Sequence, residues 1–109
     1  MQAMFVSATA ASRQEALSIG RTLVVERLAA CANILDGMTS VYWWEQRVQE
    51  ASEAMLILKT TSELVGRLTD RIKELHSYSC PCVVAMSIPS GNPDYLAWIS
   101  DETALPAKA

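Results

Sequence analysis

The densest group of chemically capable side chains in the sequence is His76-Ser-Tyr-Ser-Cys80-Pro-Cys82. Cys80 and Cys82 stand two apart, so on an extended backbone both thiols project from one side. His76 falls where an amphipathic segment ends, and from there its imidazole can swing toward that side. Two thiolates and an imidazole suit a soft or borderline ion such as Cu(I) or Zn(II). An architectural reading stands beside this one: His76 closes a helix, Cys82 fills a small core site and Cys80 is incidental.

Three other places carry chemical potential. Cys31 lies in Leu28-Ala-Ala-Cys-Ala32, among small apolar neighbours that favour a buried, inert thiol. Tyr42, Trp43 and Trp44 either line a ligand pocket or anchor contacts between subunits. Lys59 is a cation inside an otherwise apolar strand. It either carries its ammonium out to the edge or supplies positive charge to an anion site.

Common enzymatic signatures are missing from the sequence. The segment Ser7–Ser12 has no cysteine for a Met-x-Cys-x-x-Cys copper motif and no arginine to grip a phosphoryl group. There is no glycine-rich phosphate loop, and one histidine gives no specific Ser/His/Asp set. The acidic pairs Glu50/Glu53 and Asp101/Glu102 read as solvating surface charges rather than as general acid and base. The expectation is a binding protein, not an enzyme.

The elements that must position these residues follow from periodicity. Ala3–Thr9 reads as a short strand. Ser12-x-x-Glu15 has capping-box spacing, and apolar positions at helical spacing behind it predict a helix from Arg13 to Leu28. Cys31–Leu35 and Met38–Glu45 read as strand, joined by Asp36-Gly37. That dipeptide marks either a hairpin turn or a bulge in one long strand. The chain turns at Glu45-Gln46-Arg47 and returns through Val48–Thr60. In this return strand Met55, Ile57 and Lys59 share one face and Ala54, Leu56 and Leu58 the other, so both faces require cover.

A second capping box, Thr60-x-x-Glu63, predicts a helix ending near His76. Cys82–Ile88 reads as the last strand, with Cys82, Val84, Met86 and Ile88 facing one way. Asn92-Pro93 starts a short helix, and the tail from Thr103 on is expected to fray. The order β-α-β-β-α-β plus a terminal helix defines an α+β fold, a ferredoxin-like sandwich with both long helices on one face of an antiparallel sheet. The other sheet face is left bare, and a sister subunit would cover it.

Length and composition set the outer bounds. The 109 residues amount to a single domain, 1–109. With 50% hydrophobic and 19% charged residues the chain is not disordered. The longest apolar runs, Leu28–Ala32 and Ala54–Leu58 among them, are five residues, against about 20 for a membrane span. A mean hydropathy of +0.15 is high for a small monomer and points to surface hidden between copies. The net charge of −3 argues against a nucleic-acid partner. The start of the chain lacks an export-type charged region, its first basic residue being Arg13. A cytoplasmic protein with reduced thiols is therefore expected.

Five strings in order carry a resemblance. They are Arg27-Leu-Ala-Ala-Cys-Ala-Asn33, Thr39-Ser-Val-Tyr-Trp-Trp-Glu45, Met55-Leu-Ile-Leu-Lys-Thr60, His76-x-Tyr78-x-x-Pro81 and Gly91-Asn-Pro-Asp-Tyr-Leu-x-Trp98. Together they resemble the CutA family of divalent-cation tolerance proteins over nearly the whole chain. The resemblance implies a homotrimer similar to the PII signalling proteins. It also implies a bent long strand at Asp36-Gly37 in an extended hairpin, binding of copper or related ions, and no catalytic reaction. It brings the strings around Cys31, Tyr42, Trp44, Lys59, His76 and Tyr78 toward clefts between subunits.

The sequence departs from the family where His-Pro-Tyr-Glu-x-Pro-Glu is usual. Here Ser77, Ser79 and Cys82 replace a proline and two carboxylates, so hard oxygen ligands give way to thiols. Ala11-Ser12 stands where Pro-Asp is common, and Gln46 replaces a usual glycine at the hairpin tip. The expected metal ligands are His76, Cys80 and Cys82, with Cys31 as a further candidate, and the expected ion is copper or zinc. The competing expectations are a signalling trimer that holds a small anion through Lys59 between walls formed by Tyr42, Trp44 and Tyr78, and a trimer acting only as a scaffold.

Overall fold

The computed structural model describes residues 2–104. In order the elements are β1 (Ala3–Ala10), α1 (Arg13–Val25), β2 (Cys31–Trp44), β3 (Arg47–Thr61), a 3-10 turn (Ser62–Leu64), α2 (Val65–Leu75), β4 (Val83–Ser87) and α3 (Pro93–Ala104). The strands form one antiparallel sheet in the order β2-β3-β1-β4. This is the expected ferredoxin-like α+β arrangement, with a long β2–β3 hairpin and a terminal helix.

Local chemistry explains where the elements begin and end. At the start of α1 the Ser12 hydroxyl accepts from the Glu15 amide at 3.1 Å, and the Glu15 carboxylate reaches back to the Ala11 amide at 2.9 Å. The helix stops at Val25 rather than at Leu28. Arg27 adopts a left-handed φ of 63°, and the Leu28 amide turns back to the Leu23 carbonyl at 2.9 Å, the bond pattern that closes a helix. The second capping box does not form. The Thr60 hydroxyl donates instead to the buried Leu28 carbonyl at 2.7 Å, and the 3-10 turn that opens at Ser62 has no side-chain cap. Thr103 and Ala104 remain helical where fraying was expected; positions 105–109 lie outside the described residues.

One sheet face carries the main core. Val6, Ala8 and Ala10 of β1 and Ala54, Leu56 and Leu58 of β3 meet Ala16, Ile19 and Leu23 of α1 and Leu68 and Ile72 of α2. Each fully buried leucine or isoleucine there contributes about 1.5–3 kcal/mol. Gly20 sets the helix–sheet distance, since a Cβ there would lie 3.0 Å from both Ala32 Cβ and Leu56 Cδ1. On the opposite face α3 covers only one end, seating Ile99 on Ala3 and Ala30. Leu35, Val84 and Met86 remain more than half exposed.

The Asp36-Gly37 step is a bulge, not a turn. Leu35 pairs with Met55 and Met38 with Glu53, so three positions along β2 answer two along β3. Gly37 has φ +78°, which suits its lack of a Cβ. The extra residue switches parity along β2. Cys31, Asn33 and Leu35 therefore share a ribbon face with Met38, Ser40, Tyr42 and Trp44. At the tip Glu45 and Gln46 both adopt positive φ, 50° and 65°. A two-residue hairpin loop with that signature is normally built with Asn or Gly.

Candidate functional site

A cleft of about 520 Å³ opens where the hairpin leaves the sheet. Thr9 of β1 and Glu53 of β3 lie at its base, and Ser40, Tyr42 and Trp44 come from the β2 face that the bulge selects. The opposite rim is the α2–β4 segment, with Tyr78, Ser79, Cys80 and Cys82. Of the residues singled out in the sequence, Tyr42, Trp44, Tyr78, Cys80 and Cys82 thus meet at one place.

Glu53 reads in the sequence as a surface charge, but the fold buries it to 8% exposure. The Tyr78 hydroxyl donates to its Oε2 at 2.7 Å. Burial, reinforced by this hydrogen bond and the Glu53 charge, pushes the Tyr78 hydroxyl up to about 12. The one signal for Glu53 in the sequence is its parity. It shares the strand face of Met55, Ile57 and Lys59, not the solvent.

The rim is pinned by His76, whose side chain is 1% exposed. Its Nε2–H donates to the Thr9 carbonyl at 2.7 Å, and its Nδ1 accepts from the Tyr78 amide at 3.0 Å. Its ring also lies 4.6 Å from that of Tyr78, centroid to centroid. Glu15 joins this anchor by accepting from the Ser77 amide at 3.0 Å. Burial alone would raise the Glu15 pKa, but the hydrogen bonds from Ala11 and Ser77 outweigh it and hold the carboxyl below its ordinary value.

These bonds tie His76 to the backbone within one subunit. Both ring nitrogens of His76 are spent on backbone groups, so the imidazole is a strut and not a free donor. Cys80 and Cys82 are exposed thiols, but they precede β4 instead of opening it, so strand alternation does not align them. Among the described residues no three His, Cys, Asp or Glu side chains group closely enough to hold an ion.

Cys31 and Lys59 occupy a different region. Cys31 is half-buried rather than sealed, its Sγ 3.4 Å from the Tyr95 hydroxyl. That hydrogen bond, with burial, pushes the Tyr95 hydroxyl up to about 12. Lys59 pairs with Cys31 across the sheet, donates to Asn33 Oδ1 at 2.7 Å and sits 5.9 Å from the Phe5 ring centroid. Tyr42 pairs with Gln49, ten positions along β3 from Lys59, which is roughly 30 Å of strand. Within a single chain Lys59 therefore stays apart from Tyr42 and Trp44.

A four-stranded antiparallel sheet in the order β2-β3-β1-β4, with α1 and α2 on one face and an overlong β2–β3 hairpin, defines the ferredoxin-like class of α+β proteins. Within that class, residues 4–102 match the family described as CutA1 divalent ion tolerance protein. The chain is 44% identical to the divalent-cation tolerance protein CutA of Thermus thermophilus, covering 87% of this chain and 92% of that one. It is 40% identical to the chloroplastic protein CutA 1 of Oryza sativa, covering 90% of this chain but 55% of the relative. The structure of the periplasmic divalent cation tolerance protein CutA from Archaeoglobus fulgidus superposes with a TM-score of 0.89 at 38% identity, over 93% of this chain and 98% of that one. The chain belongs to the CutA1 divalent ion tolerance family.

Proposed function

We propose that this protein is a single-domain, non-enzymatic, cytoplasmic homotrimer that captures copper by equilibrium binding and so contributes to divalent-cation tolerance. The observation that carries the metal reading is that the two exposed thiols, Cys80 and Cys82, line the rim of one cleft. Two thiolates favour a soft ion of low coordination number, Cu(I) above all. Zinc would require two further ligands to complete a tetrahedron, and these would come from a neighbouring subunit.

Trimer formation is supported by the uncovered sheet face and by the hairpin. Its second ribbon face exposes Val41 (65%), Trp43 (73%) and Val48 (58%), an apolar strip that costs free energy if left in water. The test is direct. Light scattering should give about 36 kDa for three copies of the 11.9 kDa chain. Titration with Cu(I) under reducing conditions should saturate at one ion per chain. The Cys80→Ser/Cys82→Ser double variant should lose that binding while keeping its fold and mass. Unchanged copper affinity in the variant would remove the two thiols from the mechanism.

A further inference from the structure

We infer that the cleft between the hairpin and the α2–β4 segment also binds an organic ammonium ion, a protonated amine carrying an apolar body. This inference does not depend on copper binding. Among the described residues Glu53 is the only charged side chain lining the cleft. It is more than nine-tenths buried, and among the described residues no cation pairs with it. Its Oε2 accepts from Tyr78, whereas Oε1 has no hydrogen-bond partner among the described residues. Among the described residues no sealed side-chain oxygen is left without a hydrogen bond, so Oε1 opens to the cleft.

A buried carboxylate with one neutral partner has given up hydration without recovering a countercharge. A cation entering the cleft supplies that countercharge. The walls add to the selectivity, because Tyr42, Trp44 and Tyr78 present aromatic surface around the same space, and aromatic faces attract cations. The volume fits a small organic molecule. Within one chain, no lysine or arginine among the described residues lines the cleft to compensate an anion that meets Glu53. Among the described residues Glu53 belongs to no group of three His, Cys, Asp or Glu side chains that could hold a bare metal ion.

Two probes of matched size and opposite charge test the proposal by calorimetry on the intact protein: phenethylammonium and 3-phenylpropionate. The ammonium should bind at least about tenfold more tightly. Glu53→Gln keeps an acceptor for Tyr78 and should bring the two affinities together. Trp44→Ala, a change on the exposed hairpin, should weaken ammonium binding roughly three- to tenfold. The Cys80→Ser/Cys82→Ser variant should retain ammonium binding even where copper is lost, which separates this site from the metal reading. Equal affinity for the two probes, preference for the carboxylate, or no binding up to about 10 mM would overturn the proposal. If Glu53→Gln does not fold, the probe pair on the unaltered protein and the Trp44→Ala variant decide the matter.

Discussion

Replacing His76 with alanine separates a ligand from a strut. The substitution strands two backbone groups, the Thr9 carbonyl and the Tyr78 amide, which the imidazole serves at 2.7 and 3.0 Å. Both bonds are part-buried, and a polar group that loses its partner in such a place costs about 1–3 kcal/mol. The ring is almost wholly enclosed, at 1% exposure, so its removal also leaves a small cavity. A central figure of about 3 kcal/mol per chain corresponds to a melting temperature lower by at least about 12 °C for a domain of this size.

The assay is thermal unfolding at fixed protein concentration, because association would otherwise shift the midpoint. It is paired with Cu(I) titration below the transition. The expected result is a large loss of stability with copper stoichiometry preserved. A variant that melts like the parent but no longer takes up copper would refute the reasoning, and would mean that the ring leaves its backbone partners to bind metal.

The remaining predictions concern stability. Gly20→Ala would press a Cβ to 3.0 Å from Ala32 Cβ, whose own backbone holds it in place. This should cost about 1 kcal/mol net in urea denaturation despite the gain in helix propensity. Gly66→Ala in α2, where a Cβ meets nothing within 4 Å, should instead stabilise by about 0.5–1 kcal/mol. Glu15 has a folded pKa held below 4.5, so its contribution is present above that value and is lost as pH falls through the folded pKa. Glu15→Gln should be less stable than the parent at pH 7, and urea midpoints should converge as the solution is acidified; a constant gap would remove Glu15 from the acid response.

Much of the architecture was legible because local rules report it. Ser12-x-x-Glu15 forms its reciprocal cap, and Ala54, Leu56 and Leu58 do share one face of β3, the one that enters the core. Asn92-Pro93 does start the last helix, with Asn92 Oδ1 accepting from the Asp94 amide at 3.1 Å. The failures have equally local causes. Thr60 satisfied the capping pattern, but a core carbonyl from Leu28 took its hydroxyl first. Helical spacing continued past Val25, but Arg27 could enter the left-handed region and end the helix. Cys80-Pro-Cys82 looked like a strand edge, whereas β4 begins one residue later.

By itself the sequence determined the order of the elements, the apolar stripes that build the core, and the gathering of two thiols and a tyrosine within a few residues of each other. These are properties of neighbouring positions, and periodicity and turn chemistry encode them. Only the tertiary structure decided that His76 serves the Thr9 carbonyl 67 positions away, that Glu53 is buried under Tyr78, and that Lys59 lies far from the cleft. Those outcomes depend on which strands become neighbours and on one extra residue at Asp36-Gly37. Hydrogen-bond partners and burial are set by packing between distant segments, and no local pattern carries that information.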